Sequence, residues 1–447
     1  MAENLTVDWK GKHVRFMDNG LFHSFAQHVA QEIIAGGGTC DYYTPWQGSF
    51  PSSRQTRLGE GWPELTRILD PQRDENKVDL WVFLDLFQAD YQFRLRKAGA
   101  RVWGSGDGEA LELERWEFKA WCGRNGIRTP PSELFKGLPA LRAYLAERKN
   151  KYVKLAHAAN RGDMDTKLWK NKFLTEWTFD QLEYDLGAFK YDTEFIAEDK
   201  LEDIIELGED WPAVIDGLWS EWGMYAFEVK GLGTVGIQMP YAKMPQCLRD
   251  FNAKLSKVMK ADQYRGAFSM EGLYNARREY SATDPCCRLG SPSNELLQEM
   301  FTGWAKTIWF GAEGKLVSLL PAKDAKYGIV AMVYSEQSGK NWEPLSYKPA
   351  LDRWVKLRNP YMLGGKRFAV PQGSPTNVAG VVGTGNLLLS AAKALGEHVH
   401  GVDGHQIEIA TDAISKMLEI ITKANQWGAT FTSDPLPTAA ELKKAVG

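Results

Sequence analysis

Lys154 stands inside an apolar run, Tyr152-Val153-Lys154-Leu155. An ammonium there is costly to desolvate unless an anion meets it. The polar stretch Ala158-Ala159-Asn160-Arg161-Gly162-Asp163 follows at once, and small Gly-containing loops can wrap phosphate with backbone N–H groups. A lysine on an edge strand, pointing to water, would leave the same trace. Glu271 lies in a second apolar run, Phe268-Ser269-Met270-Glu271-Gly272-Leu273, and Asp284 ends the next one, thirteen positions later. Two carboxylates at one level of a hairpin can share a hard divalent cation, and Mg²⁺ on nucleotide phosphates takes one or two such ligands. The plain alternative is two solvated acids at strand ends. Two unpaired acids placed side by side would also repel, so removing one charge is expected to stabilise the metal-free chain.

Other chemistry-bearing residues give weaker patterns. Cys286 and Cys287 have no histidine near them in sequence and read as a small buried pair rather than as nucleophiles. Gly380-x-x-Gly383-x-Gly385 has Leu388 where a dinucleotide fingerprint has its last glycine. It reads as a tight strand-to-helix turn. His398 and His400 are two apart, cannot share a helix face, and make a poor metal pair.

The elements that must carry these residues change character along the chain. Strands over 13–17, 39–44, 78–85 and 101–103 alternate with helices over 21–35 and 88–98, the pattern of a parallel sheet covered on both faces. A helix over 109–124 ends at Gly126, and Pro130-Pro131 marks a linker. Strands over 152–155, 213–218, 224–230, 234–239, 267–273 and 279–283 then suggest antiparallel ribbons. Strands over 327–334, 367–370 and 378–382 and two helices follow, and 433–447 reads as a loosely held tail.

Composition excludes several function classes. A length of 447 residues gives a prior of roughly three domains. With 44% hydrophobic, 25% charged and 12% aromatic residues the chain is neither disordered nor short of a core. A net charge of -3 offers no basic surface for nucleic acid. Seventeen tryptophans fit a large core before they fit sugar-stacking platforms. The most apolar stretches are far shorter than the roughly 20 residues of a bilayer span, so no membrane partner is expected. MAENLTVDWKGK lacks the apolar core of a signal peptide. Five scattered cysteines with no CxxC pair argue against disulfides or zinc and for a reducing cytoplasm.

Four stretches carry a family likeness. They are Leu111-Glu112-Leu113-Glu114-Arg115-Trp116-Glu117-Phe118-Lys119 running to Gly126-Ile127-Arg128-Thr129-Pro130, Lys154 with its loop, Ala213-Val214-Ile215-Asp216-Gly217-Leu218-Trp219-Ser220-Glu221, and Glu271 with Asp284 and Arg288-Leu289-Gly290-Ser291-Pro292. Together they resemble the ATP-grasp superfamily and, within it, the phosphoribosylamine–glycine ligases. The likeness implies an α/β and α+β ATP-grasp fold: a Rossmann-like domain over 1–130, a nucleotide-binding domain over 131–320 with a lid near 150–225, and a small C-terminal α+β domain over 321–447.

The resemblance also implies roles. Arg115 falls where the family has its first phosphate-binding lysine, and Lys119 lies one turn later, so either is a candidate. Lys154 would be the second phosphate cation and a catalytic one, with Arg161 and Gly162 in the phosphate-covering loop. Asp216 and Leu218 would lie on the strand that holds adenine, and Glu221 would hold the ribose. Glu271 and Asp284 would hold Mg²⁺ (or Mn²⁺), with Cys286 in place of the family's metal-binding asparagine. Arg288 would orient phosphate or acid. The expected activity is an ADP-forming ligase that joins a small-molecule carboxylate to an amine through an acyl phosphate, in the family's setting of purine biosynthesis. The alternatives are a divergent ligase of a specialised modification pathway, or a nucleotide-binding module without turnover.

Overall fold

The computed structural model describes residues 5–45, 58–158, 166–338, 341–370 and 377–447. They form two compact units. The first comprises Met1–Gly108, Leu207–Ser269 and Cys287–Gly447, and the second comprises Glu109–Glu206 and Met270–Cys286. The units therefore cut across consecutive segments of the chain. Two strands, Ile204–Ile215 and Arg265–Asn275, straddle the division.

In the first unit, five parallel strands run in the order Thr66–Ile68, Thr39–Tyr43, His13–Met17, Leu80–Phe83, Val102–Trp103. The central pair, HVRFM and LWVF, is almost wholly buried, as strands covered on both faces must be. The helix His23–Ala35 buries Phe25, Ala26, Val29, Ala30 and Ile33, one apolar stripe at helical spacing. The strand order turns back between His13–Met17 and Leu80–Phe83, and the residues just beyond these strands, Asp18 and Asp85, are buried.

The same unit holds an antiparallel sheet. Trp222–Val229 pairs with Gly233–Pro240, then Tyr327–Ser335, Asn377–Gly385 and Val355–Leu357 follow in turn. The first hairpin is the one its alternating residues and its Gly231 turn predict. Three other expectations are corrected. The run 213–218 is not one strand. Asp216 and Gly217 both have positive φ, 49° and 80°, the signature of a two-residue hairpin turn. Leu218 and Trp219 then pair back on Ile215 and Val214. The three glycines Gly380, Gly383 and Gly385 lie in the strand Asn377–Gly385, not in a turn. A Cβ at Gly383 would overlap the backbone of Ala391 and Leu395, so glycine lets the helix Leu388–Val399 lie directly on the strand. Nor is the C-terminal stretch a loose tail. Ala439–Val446 is a helix with a Thr438/Glu441 capping box and buried Leu442 and Val446.

The second unit has its own sheet, in the order Ser132–Lys136, Glu194–Asp199, Lys151–Leu155, Lys167–Trp169, antiparallel throughout. Its core gathers Leu138, Leu141, Leu145, Val153, Trp169, Phe179 and Phe195. The helix expected over 109–124 is broken: Ala110–Leu113 and Arg115–Arg124 are separate. The cause is tertiary. Glu114 forms a β-bridge with His157, and Ala158 N–H donates to the Leu113 carbonyl at 2.9 Å. In the second stretch of this unit, Asn275 N–H donates to the Glu279 carbonyl at 3.3 Å and closes the hairpin that leads into Tyr280–Cys286.

Candidate active site

Lys154 lies on a strand flanked on both sides, and only 4% of its side chain is exposed. That removes the solvent-facing reading. Its Nζ donates to both oxygens of Asp284 at 2.9 Å and stands 3.5 Å from Glu198. The register explains the second contact. Lys154 faces Ile196 across the ladder, so Glu198, two residues further along, shares its face. Glu198 is buried and also accepts from Lys119 Nζ. Lys119 is buried on the helix Arg115–Arg124. Arg115, at the start of that helix, is buried as well, and its Nη1 reaches the Leu155 carbonyl at 3.5 Å. The break at Glu114 is what sets the helix starting at Arg115 against the end of the lysine strand.

These charges act on one another. Burial lowers the Lys154 pKa, but Asp284 and then Glu198 more than reverse this and hold it above the ordinary lysine value. Burial raises Asp284, while Lys154, with Arg115 and Lys119 behind it, holds its carboxyl down at about 2. About half of the Asp284 side chain, 51%, still meets solvent. It is an ionised carboxylate with an open side. It is not an unpaired acid, so the expected repulsion with Glu271 does not describe it. Glu271 is half-buried in the neighbouring strand, and its backbone carbonyl accepts from Thr283 Oγ1 at 2.7 Å.

The donor set suits a hard dication held by one or two carboxylates and completed by substrate oxygens and water. It does not suit a second, all-protein site. Cys286, half-buried, brings a soft sulfur to the next ligand position. Among the described residues, no group of three or more His, Cys, Asp or Glu could enclose a metal.

The remaining expected residues stand as follows. Arg161 and Gly162 lie outside the described residues. Asp216, Leu218, Glu221 and Arg288 belong to the first unit. Asp216 sits in the hairpin turn against Arg265 at 3.3 Å, its N–H spent on the Tyr264 carbonyl. Leu218 is 60% exposed. Glu221 is exposed, and its N–H donates to Ser318 Oγ at 2.9 Å. Arg288 Nη1 donates to the buried Asp85 at 2.7 Å, beyond the strand Leu80–Phe83. Sequence reasoning missed Glu198 and Asp85. The signal for Glu198 was available in Glu194-Phe195-Ile196-Ala197-Glu198, an acid inside an apolar run like that of Lys154.

Comparison with known proteins places the architecture. No family model matches the chain, and no curated protein does. Solved structures do. Phosphoribosylamine–glycine ligase from Thermotoga maritima is similar over 89% of this chain and 98% of its own, at 14% identity and a TM-score of 0.64. Biotin carboxylase from Campylobacter jejuni, solved as a beta-gamma-ATP complex, covers 90% of this chain and 93% of its own at 15% identity and a TM-score of 0.63. The biotin carboxylase domain of Hydrogenobacter thermophilus 2-oxoglutarate carboxylase, solved with MgADP, ADP and bicarbonate, covers 94% and 96% at 12% identity and a TM-score of 0.63. Identities this low carry the architecture alone, and on that ground the chain has the ATP-grasp fold, far diverged in sequence from these structures.

Proposed function

We propose that the protein is an ATP-dependent ligase that activates a small-molecule carboxylate as an acyl phosphate and passes the acyl group to an amine, releasing ADP and phosphate. The observation that carries this reading is the buried cluster of Lys154, Lys119 and Arg115 around Glu198 and the half-open Asp284. Support comes also from the fold, which is that of proteins solved with beta-gamma-ATP or MgADP.

Lys154 would hold a phosphate oxygen, using N–H donors it now gives to Asp284. Arg115 or Lys119 would add positive charge where phosphoryl transfer makes negative charge, which is the main lever such sites have. Asp284 and Glu271 are the carboxylates that would hold Mg²⁺ (or Mn²⁺), which supplies charge neutralisation on the phosphates. In the first unit, Arg288 would orient a phosphate or the acid. The hairpin 213–219 and Glu221 are weak candidates for holding adenosine, because several backbone donors there are already spent.

The test is ADP release by the full chain with a panel of small acids and amines. Release that requires both an acid and an amine supports the ligase. Nucleotide binding with no such release leaves a binding module. Asp284→Asn keeps shape and loses charge. It should reduce turnover by roughly 10²-fold or more, and lower stability by about 1 kcal/mol, since the carboxylate is half-exposed and Glu198 still faces Lys154. A folded Asp284→Asn protein with full turnover would remove the metal role.

A further inference from the structure

A cavity of about 300 Å³ opens beside the helix His23–Ala35 in the first unit. One wall is the polar flank of that helix, including His23, His28 and Gln31. The facing wall holds Glu299, Arg353 and Lys356. The volume is at the lower end of the range for small-molecule sites.

Three observations set this cavity apart from a packing fault. First, it is lined by a buried ion pair. Glu299 is fully buried and Lys356 4% exposed, with Nζ to Oε1 at 2.6 Å. Burying such a pair gives little net stability. Second, two polar atoms of its lining residues are buried with no hydrogen-bond partner among the described residues: His23 Nε2 and Trp62 Nε1. Such orphans are few in folded proteins, and each calls for an explanation, of which ligand binding is one. Third, among the described residues Arg353 bonds Glu299 through Nε and lies 4.6 Å over the Trp354 ring, while 59% of its side chain stays exposed, so its terminal nitrogens can still donate.

The donors and acceptors define the ligand. The Arg353 fork and Lys356 are built for an oxyanion. Trp62 Nε1–H can only donate. Burial, then the charge of Arg67, hold the His23 pKa down at about 3, so at neutral pH the ring is neutral, with one nitrogen donating and the other accepting. His28 is likewise neutral, lowered to about 4 by burial and by Lys356.

We propose that this cavity binds a small organic anion whose carboxylate or phosphate meets Arg353 and Lys356 and whose hydroxyl or amide group meets His23 and Trp62. The inference does not depend on the ligase reading, because every lining residue lies in the first unit and none belongs to the lysine cluster.

Isothermal titration of the full chain without nucleotide tests it, with L-malate and glycerol 3-phosphate as the probes. At least one should bind with Kd near or below about 1 mM. Malate alone assigns a carboxylate, and glycerol 3-phosphate alone assigns a phosphate. Arg353→Gln removes the charged fork, and Trp62→Phe keeps one aromatic ring but loses the N–H together with the second ring of the indole. Each should weaken binding about tenfold, read well below the melting temperature of the variant, which both changes lower because Arg353 bonds the buried Glu299 and Trp62 is buried. No heat with either probe at about 10 mM, or the same affinity in both variants, overturns the proposal.

Discussion

Removing the charge of Lys154 should do two things at once. Lys154→Met leaves the buried Glu198 to Lys119 and takes from Asp284 the cation that does most to hold its pKa near 2. With Asp284 half-exposed and Glu198 still paired to Lys119, the loss should cost about 1 kcal/mol of stability. Nucleotide affinity, measured on the protein that remains folded, should fall about tenfold or more. A purely structural lysine would lose the stability and keep the affinity. Glu209 gives a second prediction. It is fully buried, bonded to Trp211 Nε1 at 2.9 Å and Asn252 Nδ2 at 2.8 Å, and burial raises its pKa to about 8. The unfolded carboxyl ionises near ~4.3 while the folded one stays protonated, so stability should fall by ~1.4 kcal/mol per pH unit between those values. Glu209→Gln mimics the neutral acid. Its urea midpoint should exceed that of wild type at pH 8 and match it near pH 4.5. Parallel pH profiles for the two proteins would contradict this. Lys154 was legible because a charge inside an apolar run is conspicuous. Glu198 was less so, since its partners Lys119 and Lys154 are distant in sequence and only the ladder register brings them onto one face.

Backbone contact decides more than side-chain pattern at the level of strands and helices. Gly383→Ala places a methyl group where the helix Leu388–Val399 touches the strand Asn377–Gly385. Overpacking of this kind costs roughly 1–3 kcal/mol, and calorimetry should record a lower melting temperature. A silent substitution would mean that the helix can lift. The same contact explains why the glycine run deceived: glycines that admit a helix and glycines that admit a phosphate look alike in sequence. The hairpin at Gly231 and the alternating strands were legible, because their patterning belongs to local sequence, whereas the turn at Asp216-Gly217 was read as part of a strand. The break at Glu114 was not. Nothing in Leu113-Glu114-Arg115 ends a helix, and only the bridge to His157 does. The end of the chain failed for another reason. Thr438 and Glu441 are a readable capping box, but the short helix they start is held by Leu442 and Val446, whose burial depends on distant partners.

For the molecule as a whole, the ATP-grasp architecture was legible from four degenerate stretches taken together, though no one of them would have carried it. The substrate was not legible, because the lining of a substrate pocket comes from side chains that no motif orders. One expected feature remains open to direct test. If Arg161 and Gly162 cover phosphate, trypsin should cut at Arg161 more slowly with a nonhydrolysable ATP analogue than without it. Equal rates would remove that stretch from the nucleotide site. No helix among the described residues is long and apolar enough to cross a membrane.

The interleaving of the two units has a consequence for synthesis. The second unit takes its last stretch from Met270–Cys286, whereas the first still needs everything from Cys287 on. On a ribosome the second unit is therefore complete while the parallel sheet of the first, made earlier, still lacks Ser293–Met300 and Trp304–Ala312, whose Leu296, Trp304 and Ile308 join the same core cluster as Phe16 and Phe25. Domains usually fold as units as the chain emerges, but here the N-terminal portion must wait for the C-terminal one. A chain arrested shortly after Cys286 should carry a protease-resistant second unit beside an unprotected strand His13–Met17. The nascent protein would thus expose the apolar residues of His13–Met17 and Leu80–Phe83 until the last third of the chain is made, a period in which chaperone capture is expected to be strongest.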